Sequence, residues 1–264
     1  MGSIHIGIGG WDYEPWRETF FPRGLARARQ LDHVGQRLTA TEVNATYYRS
    51  QKPETFARWA AAVPAGFRFA LKASRFCTNR RALGEAGESV ARFCTQGIAE
   101  LGEKLGPILW QLAPTKRYDP DEIAAFLALL PARQDGIALR HAIEPRHESF
   151  RVPAFVAQAR AAGVAIVCAD HDTYPRIADP TADFVYARLQ RTRAGIETGY
   201  PAGELDRWAE TLKAWARGEA PAGLAYADAP PPPAGGRDVF AFVISGAKER
   251  NPAAAMALIE RTRT

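Results

Sequence analysis

Eight short apolar runs, spaced along the whole chain and separated mostly by helix-patterned segments, constrain the fold more than any other feature. They cover Ile4 to Gly10, Ala40 to Tyr48, Arg68 to Ser74, Ile108 to Ala113, Ile137 to Ile143, Val164 to Asp170, Phe184 to Leu189 and Val239 to Ser245. Each is apolar on both faces, as a strand buried in a parallel sheet requires. Helical patterns lie between them, at Pro53 to Val63, Glu85 to Leu105, Pro120 to Leu130, Val152 to Ala162, Glu204 to Arg217 and Pro252 to Arg263. In the segment from Glu204, the residues Leu205, Trp208, Leu212 and Trp215 recur at three and four and form one apolar stripe. Asp119-Pro120 and Asn251-Pro252 each place proline behind a capping residue at a helix start.

Eight strands with intervening helices predict an α/β fold, the closed TIM (β/α)8 barrel of parallel strands. One unit is irregular. Only His171 to Asp183, broken by Pro175 and Pro180, separate the sixth and seventh strands, so the helix there is predicted to be reduced or missing. The proline-rich stretch 229–236 reads as a surface loop, and residues 1–264 as one domain.

Composition narrows the function classes. Lys+Arg of 34 against Asp+Glu of 29 gives a net charge of +5, compatible with acidic or phosphate-bearing partners. The excess is arginine scattered through alanine-rich segments, without a basic tail. Cys77, Cys94 and Cys168 lie far apart with no CxxC spacing, which suggests a reducing compartment. The N-terminus runs directly into a strand, and no run reaches the twenty or so apolar residues that cross a bilayer. A soluble, cytoplasmic protein without a membrane partner is expected. GIGGW lacks the dinucleotide spacing, and neither a phosphate loop nor a GxSxG elbow is present.

Barrel enzymes carry their chemistry where strands end in their carboxyl-side loops. Those positions hold Trp11, Tyr13 and Trp16 after the first strand; Glu42, Asn44, Tyr47, Tyr48 and Arg49 on the second; Lys72 and Ser74 on the third; and Gln111 on the fourth. The fifth supplies Glu144, Arg146 and His147, the sixth Asp170 and His171, the seventh Arg188 and Gln190, and the eighth Ser245 and Lys248. Each group has an ordinary explanation. Glu42 with Arg188, or Glu144 with Lys72, could simply neutralise each other, and His5 belongs to the opposite end of the barrel. So many polar groups at one end nevertheless argue for a site, because burying ions costs on the order of several kcal/mol each where valine or leucine would cost nothing.

The segments GIGGWDYEPWRETFFP at 7–22, TEVNATYYR at 41–49, ILWQLAP at 108–114, EPRHESF at 144–150 and DFVYARL at 183–189 resemble the signature blocks of the YecE-like proteins, a family of uncharacterised TIM-barrel domains of unknown function. The resemblance extends over nearly the whole chain and implies a TIM barrel with a polar pocket. Its recurrent residues fall on Trp11, Tyr13, Trp16, Glu42, Asn44, Tyr48, Arg49, Lys72, Gln111, Glu144, Arg146, His147 and Arg188. Two blocks depart from the pattern. Gln190-Arg191 stands where many members have His-Gly, and Phe242 to Lys248 replaces a Phe-Asn-Asn-Asp-like block. Ser245-Gly246-Ala247-Lys248 instead suggests an anion held by backbone N–H groups and the lysine, with a plain strand-to-helix loop as the alternative.

Three function classes follow. The first is an enzyme for a small anionic molecule, with Glu42 and Glu144 as acid and base, His147 as proton shuttle, and Lys72, Arg146 and Arg188 as charge-stabilising groups; hydrolase or lyase chemistry is expected, without a cofactor. The second is a divalent-metal variant that uses Glu42, Glu144, His147 and Asp170 as ligands, although no HExxH spacing is present. The third is a nucleic-acid-binding or interaction module, with aromatic residues for stacking. The oligomeric state is not encoded in any pattern found.

Overall fold

The computed structural model describes residues 1–229 and 235–263. Its eight barrel strands are β1 Ile4–Gly9, β2 Ala40–Val43, β3 Arg68–Lys72, β4 Leu105–Gln111, β5 His141–Glu144, β6 Ala165–Asp170, β7 Phe184–Leu189 and β8 Asp238–Val243. All pair in parallel with their neighbours in chain order, and β8 returns to β1, closing a TIM barrel. The main helices are α1 Gln30–Arg37, α2 Pro53–Ala61, α3 Gly87–Cys94, α4 Pro120–Leu127, α5 Pro153–Ala161, α6 Ala202–Ala216 and α7 Asn251–Arg263. Among the described residues no helix stands between β6 and β7, as the two prolines there require. Most of the 229–236 segment, including Pro230 to Pro233, lies outside the described residues. Among the described residues no helix is long and apolar enough to cross a membrane.

Alternation along each strand divides the side chains into two packed sets. Ala40, Ala70, Leu109, Ala142, Val167, Phe184, Tyr186, Phe240 and Phe242 fill the barrel interior. Val185, Ala187 and Leu189 take the opposite face of β7 and join the outer core beneath the helices. Alanines on β2, β3 and β5 make room for Tyr186 and Phe242, which meet at 5.1 Å. This hydrocarbon layer lies below the next inward position of each strand. That position is Glu42 on β2, Lys72 on β3, Gln111 on β4, Glu144 on β5 and Arg188 on β7.

Four elements differ from the sequence reading. The segment Glu85 to Leu105 is not one helix: α3 ends at Cys94, a 3-10 segment Ile98–Lys104 follows the left-handed Gly97, and Leu105 already belongs to β4. The fifth run is interrupted: Arg133–Gln134 and Ile137–Ala138 form a small antiparallel hairpin. Asp135 and Gly136 turn it with positive φ of 47° and 80°, and only His141–Glu144 enters the barrel. The second run stops at Val43, because Ala45–Tyr48 coils into one helical turn. Helix α1, QLDHVGQR, was not expected, since its apolar stripe amounts to little more than Leu31 and Val34.

Candidate functional site

Arg188 is the centre of the polar mouth. Its Nε and Nη2 donate to the two oxygens of Glu42, each at 3.1 Å, and its Nη1 donates to both oxygens of Glu144 at 2.8 and 2.9 Å. Neither carboxylate is exposed to solvent, and Arg188 is only 2% exposed. Tyr186, one inward position below Arg188, donates its hydroxyl to Glu42 at 2.7 Å. Gln111 faces Glu144 across the β4–β5 register and donates Nε2 at 2.5 Å.

The electrostatics follow from this arrangement. Burial alone would raise the Glu144 pKa, but the Arg188 and Arg146 charges and the Gln111 hydrogen bond reverse that and hold it at about 2. The same carboxylates keep Arg188 protonated against the cost of its burial. Tyr186 is pushed well above the usual phenol range, by burial first and then by the Glu42 charge. Glu144 is thus a fixed negative charge and not a proton donor near neutrality.

Two further cations reach this cluster with donors unspent. The Lys72 ammonium lies 4.2 Å from the centre of the Tyr47 ring and, among the described residues, makes no hydrogen bond or ion pair. Burial and then the Arg188 charge bring its pKa down to about 8, while Glu42 and Glu144 oppose the fall. Arg146 sits 3.4 Å from Glu144 and stacks on Tyr174 at 4.5 Å, and its buried Nε has no partner. Gln111 and Arg146 stay partly open to solvent beside the buried ions.

The remaining expected residues divide among other tasks. Trp11 packs edge-on against Trp59 and Phe69. Trp16 is fully buried and donates Nε1 to the Lys248 carbonyl, while the Lys248 ammonium lies 4.2 Å from the Tyr13 ring. Asn44 is half-buried, and its Nδ2 donates to the Glu42 carbonyl at 3.5 Å. Tyr48 and Arg49 are exposed on the rim. In the loop after β8, the Ala247 N–H goes to the Thr192 carbonyl, which removes one donor from the expected anion cradle.

Asp170 does not join the mouth. It shares the alternation of Ile166 and Cys168, which point into the outer core, so its carboxylate turns outward to Arg176, to Tyr200 at 3.3 Å and to Arg191 at 3.6 Å. There it borders a cleft of about 860 Å³ between α6 and the 219–224 segment. His147 caps a helical turn instead of serving the cluster, its Nδ1 accepting from the Ser149 N–H. His171 stands nearer, because Arg146, Glu144 and Arg188 all act on its pKa, which burial lowers first. The His171 Nδ1 accepts from the N–H groups of Thr173 and Tyr174, so its remaining proton lies on Nε2. Tyr174 and Tyr186 were missed by the sequence reading; Tyr186 could have been found two residues before Arg188 on the same strand face. Among the described residues no group of three or more His, Cys, Asp and Glu side chains could hold a metal ion, since Arg188 fills the space between Glu42 and Glu144 and the other proposed ligands point elsewhere.

Comparison with known proteins agrees with this barrel. The chain is 27% identical over 150 residues to the UPF0759 protein YecE of Escherichia coli K12, a stretch that is 56% of this chain and 50% of that protein, so the match spans about half the length of the curated relative. A solved DUF72 family protein from Thermotoga maritima superposes with a TM-score of 0.75 at 18% identity, over 99% of this chain and 100% of that one. A DUF72 family protein from Enterococcus faecalis gives 0.73 at 18% identity, over 99% and 96%. The structure of SacUVDE gives 0.58 at 9% identity over 100% and 98%, a likeness of fold alone. The family model described as protein of unknown function DUF72 matches residues 5–264, which takes in the barrel from its first strand to its last helix, and the chain belongs to that family.

Proposed function

We propose that the chain is an enzyme acting on a small carboxylate- or phosphate-bearing molecule at the carboxyl-end mouth of the barrel, by hydrolase or lyase chemistry. The observation that carries this reading is the pair of cations with unspent donors, Arg146 and Lys72, beside a buried cluster whose own charges are already satisfied. A structural ion network would consume the buried Arg146 Nε, because an unpartnered buried donor costs roughly 1–3 kcal/mol. An anion entering the mouth would satisfy it and the Lys72 ammonium. Glu42 and Glu144 hold Arg188 and balance charge, while Lys72, whose pKa burial brings down to about 8, and the His171 Nε2–H are better suited than Glu144 to move or donate protons.

Titration calorimetry with inorganic phosphate and with glycolate tests this reading. Arg146→Ala and Lys72→Met should each weaken binding by about tenfold or more, the worth of a charge-assisted hydrogen bond, with the circular dichroism spectrum unchanged. Affinities untouched by both substitutions would remove the site.

A second reading draws on the rim. Tyr48 and Phe76 are 65% and 63% exposed, and Arg75 lies 5.3 Å from the centre of the Phe76 ring. This aromatic and cationic edge supports stacking of single-stranded nucleic acid. Binding of an oligonucleotide that falls steeply with salt and is lost in Tyr48→Ala would favour it.

A further inference from the structure

Lys72 differs from Lys104, Lys116 and Lys213, and resembles Lys248 in resting on a tyrosine ring, but it alone of these five faces the Glu42, Glu144 and Arg188 cluster. Lys104 is held by two backbone carbonyls, Lys116 by Glu122 and the Arg81 carbonyl, and Lys213 by Glu210. Lys72 has none of these partners, although it is 9% exposed and points inward at the end of β3. Its surroundings are the Tyr47 ring, the cations Arg188 and Arg146 and the carboxylates Glu42 and Glu144. A largely buried amine with no protein acceptor for its protons among the described residues, facing fixed cations at the carboxyl end of its strand, is set up to react as a nucleophile.

We propose that Lys72 forms an imine with small anions that carry an aldehyde or ketone, their carboxylate or phosphate resting on Arg146. This inference rests on the anion-binding reading above and adds the substrate class. In the step, the lone pair of the free amine forms a C–N bond to the carbonyl carbon, and a proton passes from nitrogen to the carbonyl oxygen. The resulting carbinolamine takes up one proton from water and loses its hydroxyl as water, leaving an iminium; hydrolysis reverses the sequence and restores the lysine. Glu42 and Glu144 face the iminium charge as they face the ammonium it replaces. The depressed pKa of Lys72 leaves a share of the amine unprotonated near neutral pH.

The test uses the full chain with glyoxylate and cyanoborohydride at neutral pH, followed by peptide mass spectrometry, with glycolate as the matched anion lacking the carbonyl. The expected result is carboxymethylation of Lys72 at a rate about tenfold or more above that of the exposed Lys52, suppressed by excess glycolate. Arg146→Ala should slow the labelling of Lys72 without affecting Lys52, which provides a second readout if Lys72→Met fails to fold. If glycolate and glyoxylate both bind in calorimetry but label is absent or spread evenly over Lys52, Lys213 and Lys248, the imine is overturned and the anion site stands. If neither anion binds, both fall.

Discussion

Arg188 and Glu144 form a forked pair, Nη1 lying 2.8 and 2.9 Å from the two carboxylate oxygens, on strands separated by the whole of β6. With Glu42 held on its other edge, the guanidinium ties β2, β5 and β7 together across the barrel. Such a network is costly to break and of modest net worth when intact, because desolvation offsets most of the attraction.

That asymmetry gives the first prediction. Arg188→Leu leaves two carboxylates buried without a counter-charge and should destabilise the protein by about 3–5 kcal/mol in chemical denaturation. The triple variant Glu42→Gln, Glu144→Leu, Arg188→Leu should recover part of the loss, since no carboxylate is stranded and the amide oxygen introduced on β2 still accepts from Tyr186, while Lys72 and Arg146 give up their counter-charges. A triple variant less stable than the single one would show that the network supplies net stability.

Tyr186→Phe removes the 2.7 Å hydrogen bond to Glu42 while keeping the contact with Phe242. The expected loss is about 1.5–3 kcal/mol, the range for a hydrogen bond to a charged group. No change in the denaturation midpoint would mean that the hydroxyl is idle.

Stability should depend on pH through His5 at the other end of the barrel. Burial, then the Arg68 charge, lowers its pKa to about 4, and the ring stacks on Phe240 at 5.0 Å. The unfolded chain therefore binds the proton more readily, so this contribution is complete above pH 6.5 and is lost as the pH falls toward 4. His5→Phe should flatten part of the decline in melting temperature over that window. Glu144 adds a second loss, from about 4.5 down to about 2, because its contribution is present above the unfolded pKa and disappears as the pH falls through the folded one.

Gly7→Ala tests the closeness of β1 and β2. A Cβ at Gly7 would fall 2.0 Å from the Ala40 carbonyl oxygen, and neither strand can withdraw without opening the barrel. A loss of about 3 kcal/mol or more is expected by thermal denaturation.

The barrel was legible because its signal is repeated: two-sided apolar runs recur, and Phe184–Leu189 begins and ends where the sequence places it. The same regularity located Glu42, Lys72, Gln111, Glu144 and Arg188, which share the inward alternation of their strands. Asp170 was misplaced because its position at a strand end outweighed its alternation; Ile166 and Cys168 on the same face already implied an outward side chain. His147 and His171 each follow a strand, and no sequence pattern distinguishes a ring that caps a turn from one that faces the ions. The Asp135-Gly136 turn was a readable hairpin signal standing just before the apolar run Ile137 to Ile143, whose first residues were taken for the start of a barrel strand.

The most direct measurement of the central claim is a crystal structure of the protein grown with saturating phosphate. The account predicts one ordered anion within hydrogen-bonding reach of both Arg146 and Lys72, with Glu42 and Glu144 still paired to Arg188. A mouth closed by side chains, with Arg146 and Lys72 bonded to protein and the anion bound elsewhere or not at all, would contradict it.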